Sequence, residues 1–272
     1  LKKANLKSAD INCIFAGDLL NQCISSTFGL RSLDIPFLGQ FGACSTMAQT
    51  LAMASLFVES GAAARAAAVT SSHFCSAERQ YRLPLEYGGQ RTPTAQWTAT
   101  AAGAIILGTR DQYKTAGVGV QAVTFGRIVD FGIKDANNMG AAMAPAAANT
   151  LTDYLNDTGT KPTDYDLILT GDLGLVGSRL LEEVMQRDDK DIRPVHRDCG
   201  LMIYDRKKQD VHAGGSGCGC SAAILCSTIL QQMGAGKLRK VLFVGTGALM
   251  SPTSSQQGES IPSVAHLVYL RS

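Results

Sequence analysis

The chain has 272 residues, of which 45% are hydrophobic and only 18% are charged. This composition excludes an intrinsically disordered protein, and the length fits one large domain or two ordinary ones. Lysine and arginine together number 25 against 23 acidic residues, so no nucleic-acid partner is predicted. No stretch of about 18 apolar residues predicts a membrane-spanning helix.

The first predicted element is a short apolar strand that recurs later in the chain. Residues 6–20 align with residues 160–174 at a constant offset, and both copies read polar linker, apolar strand, then Gly-Asp-Leu. The aspartates that end the two strands are Asp18 and Asp172. We interpret the match as a duplication, for which a shared richness in Gly and Ala is the alternative explanation.

An apolar helix follows in each copy and leads into two further strands. One helix begins at Cys44 and the other at Cys220, and both are apolar nearly all round. A helix without a polar face is typically covered on every side, so these two are expected to lie between two sheets. The strands that follow them are predicted at 66–72 and 100–108 in the first copy, and at 241–247 and 265–270 in the second.

The predicted fold class is α/β, with a five-layer α-β-α-β-α architecture and two pseudo-twofold-related halves, residues 1–116 and 117–272. The second half carries an additional strand (121–133) and helix (142–157) before its repeat, with Pro145 near the first turn of that helix. The first half has no counterpart to this pair. We therefore expect that a first strand and helix are absent from this chain and that it is internal to a longer one.

Eight cysteines, most of them in apolar stretches, predict reduced buried thiols in a cytosolic compartment rather than disulfides. Cys218, Cys220 and Cys226 lie close together in sequence. No second Cys or His pair has the spacing of a zinc site, so no metal site is predicted. No cofactor is predicted either, because residues 241–249 lack the third glycine of a dinucleotide-binding turn.

Long and unusual stretches give the chain a specific family resemblance. They are FAGDLLNQ, FGACSTM, SAERQYRLPLEYGGQRTPTA, GRIVDFGIKDANNMGAAMAPAAA, YDLILTGDLG, DCGLMIYD, AGGSGCGCSA and GALMSPTSSQQGESIPSVAH. In these stretches the chain resembles the stage V sporulation protein AD family of endospore-forming bacteria. The duplicated unit with a Cys opening a buried helix is, more broadly, similar to thiolases and β-ketoacyl synthases.

The resemblance implies a thiolase-like fold and a ligand. The ligand is dipicolinic acid (pyridine-2,6-dicarboxylate), which the spore accumulates with calcium and takes up during its development. The implied partners are other proteins of the spore-membrane dipicolinate-transport complex, and the implied location is cytoplasmic, peripherally associated with the spore inner membrane. Thiolase relatives also imply a homodimer, which we expect to pair through the strand at 66–72.

Cys44 is the residue at the nucleophile position. A thiol at a helix N-terminus faces unpaired N–H groups that favour the thiolate, and the alternative is a small buried residue in a tight turn. In the resembled enzymes this Cys carries the acyl group, with a His and a second His or Asn nearby. The corresponding positions here hold Gly171, Asp172 and, in the Gly-rich turn, Ser216. We predict that condensing activity is lost and that no catalytic residue is retained.

A pocket for an aromatic diacid is predicted where the two buried helices begin, because helix N-termini attract anions. The loop after 66–72 offers basic and aromatic side chains, and arginine binds carboxylates bidentately. Pairing of these side chains with surface glutamates is the alternative. The predicted ligand-binding residues are Cys44, His73, Arg79, Arg82, Tyr87, Asp172 and Ser216. His196 and His212 lie in a polar segment and are predicted to be solvated.

Three function classes follow from these observations. The first is a non-catalytic, thiolase-like protein that binds dipicolinic acid. The second is an acyl-condensing enzyme of the β-ketoacyl synthase or thiolase type, in which Cys44 becomes acylated. The third is a structural component of a membrane complex with a vestigial pocket.

Overall fold

Two β-sheets flank a central pair of helices in the computed structural model, which describes residues 1–75, 81, 90–112 and 117–272. The first sheet has the strand order β2-β1-β3-β5, and all its neighbours run parallel except β3 and β5. Its strands are β1 (Cys13–Gly17), β2 (Phe37–Gly39), β3 (Arg65–Ser72) and β5 (Ala101–Gly108). A short ribbon strand, β4 (Trp97–Thr98), precedes β5.

The second sheet repeats this order and adds one strand at its edge. Its order is β6-β11-β10-β7-β8, in which β8, β7 and β10 run parallel and β11 runs antiparallel to both of its neighbours. These strands are β6 (Gly119–Thr124), β7 (Leu167–Thr170), β8 (His196–Asp198), β10 (Lys240–Ala248) and β11 (Ser263–Arg271). The predicted duplication is therefore seen in strand order and direction, and β6 has no counterpart among the described strands of the first sheet.

The helices that begin near Cys44 and Cys220 lie between the two sheets. A 3₁₀ turn, Ala43–Ser45, runs into α2 (Thr46–Glu59), while α6 (Cys218–Ile224) continues through a π turn, Leu225–Ile229, into α7 (Leu230–Gly234). One apolar cluster joins these helices to strands of both sheets. The prediction that both helices lie between two sheets is confirmed, but neither is covered on every side, because Leu56 of α2 and Ser227 and Gln231 of the second helix are exposed.

Outer helices complete the five layers. The first sheet is covered by α1 (Ile24–Leu30), and the second by α3 (Met139–Thr158) and α4 (Gly174–Arg187). The remaining short elements are α5 (Cys199–Met202), α8 (Pro252–Gln256) and β9 (Gly215–Ser216). No described helix has the length and apolar composition that crossing a bilayer would require.

Two predicted boundaries in the added strand–helix pair were wrong. The strand ends at Thr124, because the next amide in line, that of Gly126, donates to Nδ1 of His266 at 3.2 Å instead of continuing the backbone ladder. The helix begins earlier than predicted, at Met139, where the Asn138 side chain accepts from the amide of Ala141 at 3.3 Å. Pro145 consequently lies inside the helix rather than in its first turn.

The strand expected to pair two subunits is not available for that purpose. The predicted segment 66–72 is β3, which hydrogen-bonds to β1 along one edge and to β5 along the other. A strand with both edges occupied cannot add a third neighbour. Pairing through this strand is therefore wrong, while the homodimer itself stays a prediction.

Candidate functional site

Cys44 lies in a tight turn that is held in place from several sides. The preceding residue, Ala43, has a left-handed backbone with φ of 50°, which is a strained conformation for a residue with a Cβ. The hydroxyl of Ser45 donates to the carbonyl of Gly42 at 2.7 Å, and the amide of Gly42 donates to Oγ1 of Thr46 at 3.2 Å. The thiol is thus buried at the beginning of α2 in a fixed position.

Ser216 and Asp172 extend from Cys44 as a buried polar chain. Sγ of Cys44 is 3.9 Å from Oγ of Ser216, which donates to Oδ2 of Asp172 at 2.9 Å. Since a serine hydroxyl has one hydrogen and Ser216 gives it to Asp172, Ser216 presents its oxygen lone pair to the sulfur in this contact.

Asp172 is fully buried, and its carboxylate is satisfied by three donors. Besides Ser216, the amide of Gly217 donates to Oδ2 at 2.7 Å and the hydroxyl of Thr246 donates to Oδ1 at 2.9 Å. Its twin Asp18 accepts from the amide of Leu20 at 2.9 Å and from Ser26 in the first half. Both aspartates thus brace the loop after their strand, and Asp172 additionally fixes Ser216.

A two-stranded ribbon brings the first half against Ser216, which the sequence did not predict. β4 and β9 pair in parallel, with Thr98 opposite Ser216, so the two side chains lie on the same face. Oγ1 of Thr98 is buried and has no hydrogen-bond partner among the described residues. The side-chain Nε2 of Gln96 donates to the backbone carbonyls of Asp172 and Gly215 at 2.7 and 2.8 Å and ties the ribbon to the site.

The predicted basic loop is only partly described. Arg79, Arg82 and Tyr87 lie outside the described residues. His73 is exposed directly after β3, and its Nδ1 accepts from the amide of Cys75 at 3.2 Å. The structure thus joins Cys44, Ser216 and Asp172, and it places His73 at the surface.

An aromatic stack stands next to His73. The Phe74 and Trp97 rings are stacked, with their centroids 4.1 Å apart. The Arg91 guanidinium lies over the Trp97 ring, 4.3 Å from its centroid. The same guanidinium pairs with the carboxylate of Asp210 at 3.1 Å. Trp97 therefore packs against both Phe74 and Arg91.

His196 was predicted to be solvated, and this was wrong. It lies in β8 and is almost fully buried, with Nδ1 2.8 Å from Oε1 of Glu182 and Nε2 2.9 Å from Oγ1 of Thr170. Thr170 in turn donates to Oδ2 of Asp198 at 2.7 Å. The hydrophilic surroundings of His196 in the sequence concealed its burial, because its side chain packs under α4 while Arg193 and Arg197 on either side of it are exposed.

Electrostatics in this region are governed by burial. Desolvation raises the pKa of Asp198 to about 6, against the lowering effect of the Thr170 hydrogen bond and of His196. Burial likewise raises the pKa of the Cys199 and Cys220 thiols well above the usual value. Among the residues that the structure describes, no three His, Cys, Asp or Glu side chains group into a set that could hold a metal ion.

Comparison with solved structures identifies the fold. The chain aligns over its whole length with 80% of 3-oxoacyl-[acyl-carrier-protein] synthase III from Aquifex aeolicus, with a TM-score of 0.58 and 12% identity. It aligns over 98% of its length with 79% of Xanthomonas campestris OleA solved with lauric acid and lauroyl-CoA, with a TM-score of 0.64 and 13% identity. At such low identity the likeness establishes a thiolase-like fold.

Sequence comparison identifies the family. The model of the family described as stage V sporulation protein AD matches residues 1–271. Stage V sporulation protein AD from Bacillus subtilis (strain 168) is 48% identical over 267 residues, which cover 98% of this chain and 77% of that protein. The expected family and fold class are both confirmed. The chain therefore belongs to the stage V sporulation protein AD family and has the thiolase-like fold.

Proposed function

We propose that this protein is a non-catalytic, thiolase-like protein that binds dipicolinic acid for uptake into the developing spore. One observation carries the proposal: the Cys44 thiol contacts a serine hydroxyl whose hydrogen is already given to Asp172. An acyl-accepting cysteine needs a neighbouring group that removes its proton, and a hydroxyl held in this way is a poor base. Ser216 is therefore not suited to activate the thiol, and in this proposal the site holds a ligand.

The chemistry of the site matches a flat aromatic diacid. Two buried helices begin here, at Thr46 and Cys218, and the positive ends of their dipoles favour a carboxylate. The hydroxyl of Thr98 is buried beside Ser216 and offers a further donor. In this proposal the second carboxylate and the ring of the ligand are held by side chains of the loop after β3, namely His73, Arg79, Arg82 and Tyr87. The two arginines balance the negative charge of a dianion.

Titration calorimetry with dipicolinate tests the proposal. We expect one site per chain in the wild-type protein and about tenfold weaker binding for Thr98→Ala, since the buried Thr98 hydroxyl can donate to a carboxylate and a hydrogen bond to a charged group contributes about 1.5 kcal/mol. Thr150→Ala removes a buried hydroxyl elsewhere, one that donates to the carbonyl of Ala265, and serves as the matched control. Wild-type protein that gives no heat, or a Thr98→Ala variant with unchanged affinity, would contradict the proposal.

The second candidate is an acyl-condensing enzyme, favoured by the position of Cys44 at the start of a buried helix. Such an enzyme loads its cysteine rapidly and stoichiometrically from a coenzyme A thioester, and iodoacetamide blocks the loading. Intact-mass measurement after incubation with acyl-CoA distinguishes the candidates. A full acyl adduct that disappears in Cys44→Ala would favour the enzyme over the binding protein.

The setting of this activity is also a proposal. The protein would act on the cytoplasmic face of the spore inner membrane, as a homodimer, with other proteins of the dipicolinate-transport complex and with calcium accompanying the acid. Co-purification with membrane partners in the absence of any dipicolinate binding would instead favour a purely structural component. Light scattering tests the dimer, for which a mass of about twice 28.7 kDa is expected.

A further inference from the structure

Four side chains form a hydrogen-bonded chain from the protein surface to the floor of the Cys44 site. The chain begins at Glu182, whose side chain is 29% exposed, and passes through His196 and Thr170 to Asp198. The three links measure 2.8, 2.9 and 2.7 Å, and the last three side chains are almost completely buried. No role in the fold or in ligand contact has so far been assigned to it.

Counting hydrogens along this chain shows that its three bonds together need one proton more than a neutral histidine with two ionised carboxylates supplies. If Thr170 donates to Asp198, then Nε2 of His196 must donate to Thr170, and Nδ1 must donate to Glu182. Histidine is then an imidazolium. If Asp198 carries the proton instead, it donates to Thr170, which donates to Nε2. All three bonds are made only when the extra proton is present.

These protonated forms interconvert without moving heavy atoms. A proton on Glu182 passes to Nδ1 of His196, while the hydrogen on Nε2 passes to the Thr170 oxygen and the Thr170 hydrogen passes to Oδ2 of Asp198. At each step one N–H or O–H bond breaks as the next one forms. The chain is therefore a continuous proton path from the partly exposed carboxylate of Glu182 to the buried carboxylate of Asp198.

The first half of the protein provides an internal control for this arrangement. Strand register places Phe37 and Gly39 beside Ile14 and Ala16, as His196 and Asp198 stand beside Ile168 and Thr170 in the second half. Under the repeat, Ala16, Phe37 and Gly39 are the equivalents of Thr170, His196 and Asp198. Because apolar or small residues occupy the equivalent positions in the first sheet, the fold itself does not require the polar chain.

The inner end of the chain touches the loop that builds the site. Asp198 accepts from the amides of Leu173 and Gly174 at 2.9 and 3.0 Å, directly after Asp172. Asp172 and Asp198 are both buried, and each charge disfavours the other. A bound anion next to Ser216 adds a further negative charge, which strengthens the tendency of Asp198 to hold a proton.

Other charged groups near the chain lie mostly at its outer end. Arg193 and Asp191 act on Glu182 with opposite sign, and the guanidinium of Arg197 donates to the backbone carbonyl of His196. Deeper in the protein, the Cys199 thiol faces Asp198 and Asp172 and is held in its neutral form by burial. The carboxylate pair therefore dominates the charge at the inner end.

We propose that the Glu182–His196–Thr170–Asp198 chain takes up this additional proton from solvent at Glu182 and delivers it to Asp198 when an anion occupies the Cys44–Ser216 site, so that the site binds the anion together with a proton. This inference rests on the proposed function, because it needs a carboxylate ligand at that site. It adds a regulated property: affinity for the anion rises as pH falls.

Calorimetry of dipicolinate binding in buffers with different ionisation enthalpies at pH 7 measures the proton uptake directly. We expect uptake of about one proton per ligand in the wild-type protein. Thr170→Ala copies Ala16 and removes the link between His196 and Asp198, so uptake should fall towards zero, whereas the control Thr150→Ala should retain it. Binding without proton uptake, or unchanged proton uptake in Thr170→Ala, would overturn the proposed proton coupling and leave the proposed function standing.

Two further measurements separate the possible failures. Dipicolinate that does not bind at all would overturn the proposed function, and the proton coupling with it. Nitrogen NMR of the histidine rings reports the protonation of His196 independently of calorimetry. It needs only the wild-type protein, so it can be used even if Thr170→Ala does not fold. We expect dipicolinate binding to change the chemical shifts of the His196 ring nitrogens. Unchanged chemical shifts in the presence of bound ligand would contradict the proposed coupling.

Discussion

At the scale of single residues, two equivalent aspartates have diverged in what they hold. Asp18 braces only its own loop through Leu20 and Ser26. Asp172 reaches across the fold to Gly217 and Thr246 and orients the Ser216 hydroxyl toward itself. The same strand ending therefore provides a structural cap in one half and the support of the candidate site in the other.

Replacement of Asp172 should destabilise the protein strongly. In Asp172→Asn one oxygen becomes an NH₂ group that faces a donor, and hydrogen bonds to a buried carboxylate are worth about 1.5–3 kcal/mol each. We expect a loss of about 3 kcal/mol in unfolding free energy by urea titration. Asp157→Asn, at an exposed helix position, is the control and should change stability by less than about 0.5 kcal/mol. Equal stabilities of the two variants would contradict the assigned role.

His266 should contribute to acid sensitivity. Burial lowers its pKa to about 4, so the unfolded state binds a proton more readily than the folded state between pH 6.5 and 4. The stability it contributes is complete above pH 6.5 and is lost as pH falls towards 4, by roughly 3 kcal/mol. His266→Asn keeps an acceptor for the amide of Gly126 and removes the titration.

Urea unfolding at pH 7, 5.5 and 4 measures this effect. The wild-type protein should lose more stability over this interval than His266→Asn does. His73→Asn, at an exposed histidine, is the matched control and should follow the wild-type curve. Parallel curves for the wild-type protein and His266→Asn would refute the buried-histidine explanation.

At the scale of elements, close backbone approach decides how α6 packs on the first sheet. Gly219 in the first turn of α6 lies against the carbonyl of Ala101 and the hydroxyl of Ser72, and its amide donates to that hydroxyl at 3.1 Å. A Cβ at this position would overlap the Ala101 carbonyl oxygen. The helix that opens the candidate site is therefore positioned by a residue without a side chain.

Two glycine substitutions in the same helical segment should have opposite effects. Gly219→Ala forces backbone atoms apart and should cost about 3 kcal/mol or more, as over-packed cores do. Gly234→Ala is the matched control, because nothing lies within 4 Å of its added Cβ, and it should stabilise α7 by about 0.5–1 kcal/mol. Thermal unfolding of both variants measures the difference. Stability changes of the same sign would show that α6 can move away from the sheet at little cost.

At the scale of the whole molecule, the two halves share one interior. Phe15 and Met47 from the first half belong to the same buried cluster as Leu169 and Phe243 from the second. The ribbon of β4 and β9 adds backbone pairing between the halves. Neither sheet therefore has a complete core of its own, even though the sequence repeats.

This shared interior should make unfolding cooperative. Scanning calorimetry is expected to give a single transition, and a fragment of residues 117–272 expressed alone should not give a folded circular-dichroism and NMR signature, because the face that packs on α2 would be open to water. The full chain under identical conditions is the control. Two resolved transitions, or a folded fragment, would contradict the picture of one interior.

The sequence by itself determined the family, the duplicated order of strands, the burial of the two central helices and the place of Cys44 at the start of one of them. These features follow from local patterns, since apolar periodicity and strand endings are written in neighbouring residues. The twin aspartates were also readable, because the repeat aligns them without gaps.

Only the tertiary structure decided which side chains meet. Ser216 reaches Asp172 across 44 residues and Cys44 across 172, and the register of β4 and β9 brings Thr98 to them. His196 looked solvated because its sequence neighbours are charged, yet the pairing of β8 with β7 buries it. Sheet register and layer packing set these contacts, and neither leaves a signal in the spacing of residues along the chain.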